Sequence, residues 1–391
     1  MQRNCEVRLK TPPFSPSVPR HSSLYPLFLV VLFVVSTITA YTAIQPINHL
    51  DWVTTSQFLR YMTRFQDPYD ETLSMDSDLL VYDVEYESLP YAPWAVFYFG
   101  PIAYFSTRLI LALSIAAFVI VMVDFGKPFA LMLILHPTFW MLLASGNTDF
   151  LVNGVGLWLI FRGARGWQMG VVIMLLAIKP QVLPFLIVLE CVRILWERDW
   201  KTALTMALIF GISVALFPRW LDWPLDILSS YFDVIRGVKT GNDVKFGGGY
   251  PFSVFGAWGV LPALAVTAAI LLLMRRRLTE WRTLAVLLSF VWTTYVNPYS
   301  YSVLLILFRK TPVWRTALYL VLSLATLPFL FVEWHRYERY GVLAFLLLAA
   351  WLTTPMPDQT EEAIARQRHV PVFPPVRWLL ARRSSHKPAP R

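Results

Sequence analysis

The chain has 391 residues, of which 56% are hydrophobic and only 15% charged, where a soluble globular chain carries about a quarter charged residues. Apolar runs recur along almost the whole length, which excludes an ordinary soluble domain and indicates an integral membrane protein. The net charge of +9 does not indicate a nucleic-acid partner, because the basic residues sit in short loops between apolar runs and in the two tails.

Residues 1–24 form a polar, basic, Pro-containing tail, and the run 25–44 follows it. No small-residue cleavage site closes that run, so it reads as a retained first span rather than a signal peptide. Twelve spans account for the chain, near 25–44, 107–123, 128–144, 148–162, 166–180, 181–197, 201–218, 252–274, 282–296, 298–308, 313–332 and 339–354. The predicted class is therefore an all-α integral membrane protein with a polytopic unit over 25–354. A Pro- and Arg-rich tail over 355–391 carries seven basic residues and is expected in the cytoplasm near anionic lipid.

Charge orients these spans. With the N-terminus inside, Lys127, Arg162, Arg165, Arg193, Arg198, Lys201, Arg275, Arg276, Arg277, Arg282, Arg309, Lys310 and Arg315 all fall on the inner side. The loop 45–92 then faces outward, with nine acidic residues against two basic ones, Arg60 and Arg64. Cys5 and Cys191 both fall inside, so neither a disulfide nor a metal site is supported.

Two outer segments are long, 45–106 and 219–250. Long loops that mix aromatic and charged residues tend to carry function. In "HLDWVTTSQFLRYMTRF" apolar side chains recur at Phe58, Tyr61, Met62 and Phe65, so a helix over 53–65 is expected to lie along the membrane surface. The segment "YAPWAVFYFGPIAYFS" over 91–106 is apolar, short and broken by two prolines, and reads as a juxtamembrane or re-entrant helix.

Several places could carry chemistry, and in one of them, "EWHRYERY" over 333–340, the charges could simply satisfy one another at the interface. Asp51 stands at the lip of the first span, where it could cap the helix after it. A partly desolvated carboxylate there also suits a general base. In "ASGNTDFLVNG", Gly146, Asn147 and Asp149 form an outer turn, and Asp149 and Asn153 share a helical face. In "AIKPQVLPF", Lys179 is either a snorkelling lysine or an ammonium placed to grip a phosphate, with Gln181 beside it. In "YVNPYSYS", Asn297, Tyr299, Ser300 and Tyr301 offer hydrogen-bonding groups after a helix break, suited to a sugar-binding wall or an aromatic belt. The acids Asp76, Asp78, Asp83, Glu85 and Glu87 could hold a divalent cation, although a solvated acidic stretch is the commoner meaning.

Taken in order, these pieces resemble the polytopic C-type glycosyltransferases that use polyprenyl-phosphate sugars. The nearest group is the bacterial polyprenyl-phosphate-mannose-dependent mannosyltransferases of glycosyltransferase family 87. The resemblance rests on "DWVTTSQFLRYMTRFQDPYD", "YAPWAVFYFGPIAYF", Gly146-Asn147, Lys179-Pro180, "YFDVIRG" and "GGYPFSVFG", over roughly residues 25–310. It implies that Asp51 is catalytic, that a lipid-phosphate donor enters laterally, and that a lipid or glycan acceptor is reached from the outer face. Tyr91, which opens the second motif, joins the substrate-binding candidates. Ala92 stands where the family's motif usually has proline, and "NPYSYSVLL" lacks the His that some members carry there. The expected function is thus transfer of a hexose, with mannose favoured, by inverting displacement at the outer face of the cell membrane, without a required cofactor. The rival readings are a transporter or lipid-linked-sugar flippase, and a non-catalytic scaffold. No internal repeat between halves favours transport.

Overall fold

The computed structural model describes residues 24–44, 50–65, 92–124, 128–221, 256–274, 280–293, 298–324, 348–349 and 351–352. The fold is all-α: helices and helical turns dominate, and no strand occurs among the described residues. Helix α1 spans Tyr25–Ala43, α2 Leu50–Thr63, α3 Ala95–Phe99, α4 Thr107–Asp124, α5 Pro137–Ser145 and α6 Val155–Arg162. Then come α7 Trp167–Leu176, α8 Pro184–Glu197, α9 Trp200–Leu216, α10 Val260–Leu273, α11 Trp281–Trp292 and α12 Val313–Leu324.

Among the described residues, α1 and α4 alone are long and apolar enough, by length and composition, to cross a membrane. At 1.5 Å per residue, the 18 residues of α4 reach roughly 27 Å, close to a ~30 Å hydrocarbon layer. The other apolar runs are interrupted, and the interruptions have local causes. The run 128–144 divides into a 3₁₀ segment, Pro128–Leu135, and α5. Pro137 disfavours helical geometry in the residue before it, and His136 is extended (φ −65°, ψ 133°), its ring Nδ1 accepting the Thr138 N–H as an N-cap. The run 148–162 opens with one π-helical turn, Phe150–Gly154, before α6. The run 166–180 leaves the helix after Leu176, ahead of Lys179-Pro180. The 298–308 segment is a 3₁₀ helix over Pro298–Lys310.

Side-chain and backbone ties sort the element ends into two groups. Tyr25 and Trp158 donate to the Asp124 carboxylate at 3.0 and 2.8 Å, and Arg162 pairs with it at 3.2 Å. These bonds gather the start of α1, the end of α4 and α6 at one end. Nearby on the same side, buried Glu190 accepts from Arg193 at 2.7 Å and Arg282 at 2.6 Å, fixing α8 to α11. At the other end the Arg108 guanidinium donates to the Thr42 carbonyl, and the Ala92 N–H to Ile178. The two groups are the ones into which the charge pattern divides the loops.

One large apolar core, including Phe118, Phe139, Phe150, Leu176, Phe290 and Phe308, runs through α4 to α12. A second packs Phe58, Leu59 and Met62 of α2 against Trp94, Phe99, Val152, Met174 and Ile178. Small residues let the helices close. A Cβ on Gly170 of α7 would stand 2.6 Å from Thr205 Cβ and 2.8 Å from the Thr202 carbonyl of α9, a close crossing that only glycine permits.

Candidate functional site

The site begins with how α5 stops. Gly146 adopts the left-handed conformation (φ 66°), its N–H bonds the Leu143 carbonyl, and the Asn147 N–H bonds Leu142. This 6→1 and 5→2 pairing is the Schellman ending, which favours glycine at the left-handed position. It hands the chain to Asn147, whose side-chain oxygen accepts the Asp149 N–H at 2.9 Å, an Asx turn. Asp149 then leads into the π turn. There Gly154 leaves room for the Phe150 ring, because a Cβ would stand 2.9 Å from two of its atoms.

The second arm is the turn after α7. Its backbone is held by Lys179 N–H to Leu176 and Val182 N–H to Lys179, and the Thr293 hydroxyl donates to the Gln181 carbonyl at 2.6 Å. This geometry turns the Lys179 ammonium inward. It is 4% exposed and contacts Asp149 Oδ1 at 2.6 Å and Asn147 Oδ1 at 2.9 Å. The snorkelling arrangement is therefore not the one adopted. The third arm is the 3₁₀ helix after Pro298, from which the Ser300 hydroxyl donates to Asp149 Oδ2. Three segments far apart in sequence thus meet on one carboxylate, each of whose oxygens has a partner. A buried ion pair holds only when such extra bonds offset desolvation.

Beside this satisfied cluster lie polar atoms without partners. Asn153 is fully buried, and neither its amide nitrogen nor its oxygen has a hydrogen bond. The Thr148 and Ser302 hydroxyls are buried and unbonded too. Asn153 sits four residues after Asp149, one helical turn deeper on the same face. The π turn and the 3₁₀ helix pack on each other, so Asn153 and Ser302 belong to the two sides of one seam. An unmade hydrogen bond on a buried group costs about 1–3 kcal/mol. π turns recur at functional sites, and buried polar groups in an apolar bundle ordinarily serve a ligand, ion or water path.

Helix α2 covers this end. It begins at Leu50, so Asp51 is its second residue and not the residue preceding the helix. Positions 51, 55, 58 and 62 recur on one helical face, and Thr55, Phe58 and Met62 of that face are buried. Phe58, Leu59 and Met62 belong to the same apolar cluster as Val152 and Ile178, the neighbours in sequence of Asn153 and Lys179.

Of the predicted residues, Asn147, Asp149 and Lys179 come together directly. Gln181 contributes its backbone carbonyl to the turn. Tyr301 packs in the core, with its ring 5.0 Å from Phe290. From the same stretch, Ser300 makes the contact. The signal available for it was position alone, a small hydroxyl just after a helix-breaking proline. Tyr91 and Asn297 lie outside the described residues, as do the side chains of Asp51 and Tyr299 and the acids over 76–87. No group of three or more His, Cys, Asp or Glu suited to a metal occurs among the described residues. Compared with family models, curated proteins and solved structures, the chain shows no significant match.

Proposed function

We propose that the chain is a polytopic membrane glycosyltransferase with about twelve spans, which moves a hexose from a polyprenyl-phosphate donor to a lipid or glycan acceptor at the outer face. The observation that carries this reading is the buried Asn147–Asp149–Lys179–Ser300 cluster, with the unbonded Asn153 amide beside it and α2 over it. Such a site offers charge for a phosphate, hydrogen-bonding groups for sugar hydroxyls and an apolar cover that keeps water away.

The chemistry needs little acid assistance, because a polyprenyl phosphate leaves as an already ionised group. Asp51 takes the proton of the acceptor hydroxyl as its oxygen attacks the anomeric carbon. The bond from that carbon to the phosphate oxygen breaks, and the carbon inverts. A β-linked donor gives an α-linked product. Lys179 is charge-balanced by Asp149, so a donor phosphate would compete with that carboxylate for the ammonium. Donor binding and the state of the pair are then coupled.

A transporter is the second reading. The buried ion pair and the broken helices favour it, since transporters place such features along their pathways. The discriminating measurement is sugar transfer by purified protein in lipid from a panel of polyprenyl-phosphate sugars, with mass spectrometry of products. The Asp51→Asn variant is run beside it. Transfer should fall by about 100-fold or more in the variant, the range for loss of a general base. An Asp in the first helical turn adds only about 0.3–1 kcal/mol through the helix dipole, so insertion and stability should hold. Near-normal transfer by the variant removes Asp51 from the mechanism. No product from any donor, with counterflow of a lipid-linked sugar across vesicles, favours transport.

A further inference from the structure

The loop that holds nine acids has two basic residues, Arg60 in the last turn of α2 and Arg64 just after it. Other basic residues, Arg108, Lys179 and four over 219–250, share this side, but these two stand in an otherwise acidic loop. Neither pairs with a carboxylate among the described residues. The Arg60 Nε instead donates to the Ala103 carbonyl at 3.0 Å, and its guanidinium carbon lies 5.3 Å from the centre of the Tyr104 ring. Arg64, one turn on, lies beside the Tyr104 hydroxyl. Thr63 and Tyr104 share a hydroxyl–hydroxyl bond of 2.8 Å. Two guanidiniums and two hydroxyls from separate segments therefore converge on one small surface, and the terminal nitrogens of Arg60 have no acceptor among the described residues.

The Tyr104 hydroxyl registers that environment. The Thr63 bond foremost, and then the two guanidiniums, draw its pKa below that of an ordinary tyrosine. Large aromatic side chains rim the place: Phe65 is 77% exposed, and Tyr104 and Phe105 are each 53% exposed. Phe65 also ends α2 in the left-handed region (φ 58°), uncommon for a bulky residue. Exposed aromatics beside arginine are the composition of a membrane–water interface, and a planar guanidinium fork matches a phosphate.

We propose that Arg60, Thr63, Arg64 and Tyr104 form an interfacial site for the phosphate of an anionic phospholipid in the outer leaflet. The proposal rests on the membrane orientation given above but not on the transfer reaction. A lipid is the occupant because the rim is aromatic and exposed, and a soluble anion would gain nothing from that rim. Its seat on α2 ties the helix over the buried cluster to the headgroup layer.

The test uses the full chain in nanodiscs of phosphatidylcholine alone or mixed with phosphatidylglycerol, with native mass spectrometry of the lipids retained on release. The wild type should retain phosphatidylglycerol over phosphatidylcholine by about tenfold or more, as two basic groups near a surface allow. The R60Q/R64Q variant should approach parity, while R60K/R64K keeps part of the preference. The lysine pair guards against loss by misfolding, and thermal unfolding is recorded for all three. Equal retention of both lipids by the wild type overturns the site, as does an undiminished preference in R60Q/R64Q. Removal of the preference by inorganic phosphate assigns the site to a free anion and overturns the lipid. A glutamine variant that keeps phosphatidylglycerol but loses use of a polyprenyl-phosphate donor assigns the arginines to the donor and overturns it too.

Discussion

Replacing Lys179 by Met tests whether the buried cluster exists as described. In the wild type the ammonium meets Asp149 Oδ1 at 2.6 Å and Asn147 Oδ1 at 2.9 Å, with side-chain exposures of 5% for Lys179 and 2% for Asp149. Without it, the carboxylate keeps the Ser300 hydroxyl on its other oxygen but loses its counter-charge. Breaking a buried pair from one side costs about 3–5 kcal/mol. Asp149→Asn leaves the mirror problem, a buried ammonium facing neutral oxygens, and should cost a similar amount. The double variant removes both charges, so it should lose little more than either single change. The coupling energy should then approach about 3 kcal/mol, the upper end for residues in contact. The assay is reversible unfolding in mixed micelles, followed by tryptophan fluorescence, for the wild type, both singles and the double. Single losses below about 1 kcal/mol that simply add would mean a hydrated pair of the surface kind. That result would refute the buried cluster and the site built on it.

Asn153→Leu should raise stability by about 1–3 kcal/mol in the same titration, because it removes a buried amide with no partner at similar volume; a loss of that size would show that the amide is bonded after all. Gly170→Ala should cost about 1–3 kcal/mol, since its Cβ would meet the Thr202 carbonyl of α9 at 2.8 Å and backbone does not yield easily. Gly156→Ala should cost less, because its nearest obstacle, Leu176 Cδ2 at 2.5 Å, ends a side chain that can change rotamer; the reverse ranking in unfolding midpoints would contradict the packing of α6, α7 and α9.

The sequence was informative where a residue type has few uses. Gly146-Asn147 reads as a turn because a left-handed position and an Asx turn each demand such residues, and both are found. Pro180 was readable as the end of a run, whereas Pro137 fell inside the predicted span 128–144, and the structure shows what both breaks achieve. The turn before Pro180 swings Lys179 inward, a choice between water and Asp149 that no local pattern contains. Ser300 was named only as one hydrogen-bonding group among several, because its role is set by a carboxylate 151 residues away in sequence. For Tyr301 the reading left a polar wall and an aromatic belt open, and the structure adds that its ring packs on Phe290 in the core. Helix lengths were the least legible feature. Hydrophobicity marks a run as apolar but does not say that α5 and α6 each start after a 3₁₀ or π segment.

The two ends of the bundle differ in how their buried polar groups are satisfied. Asp124 is met by a tyrosine, a tryptophan and Arg162, whose side chain is 42% exposed and reaches water. Glu190 is met by Arg193 and Arg282. Both carboxylates have their demands met within the fold, and both join helices that would otherwise be held by apolar packing alone. At the Asn147 end the charges also balance, yet the polar groups do not close on themselves. The amide of Asn153 and the hydroxyls of Thr148 and Ser302 remain unbonded in the interior. Packing cannot be their reason, since an apolar side chain of the same shape would be more stable there. Native interiors carry few such groups, and each calls for a cause outside the fold. A staple needs no spare hydrogen bonds, whereas a site that receives a hydroxyl-bearing ligand does. Such atoms are not confined to this end, since the buried His136 Nε2 has no hydrogen bond either; the Asn147 end is set apart by combining them with a buried ion pair, and the proposed transfer site rests on that combination.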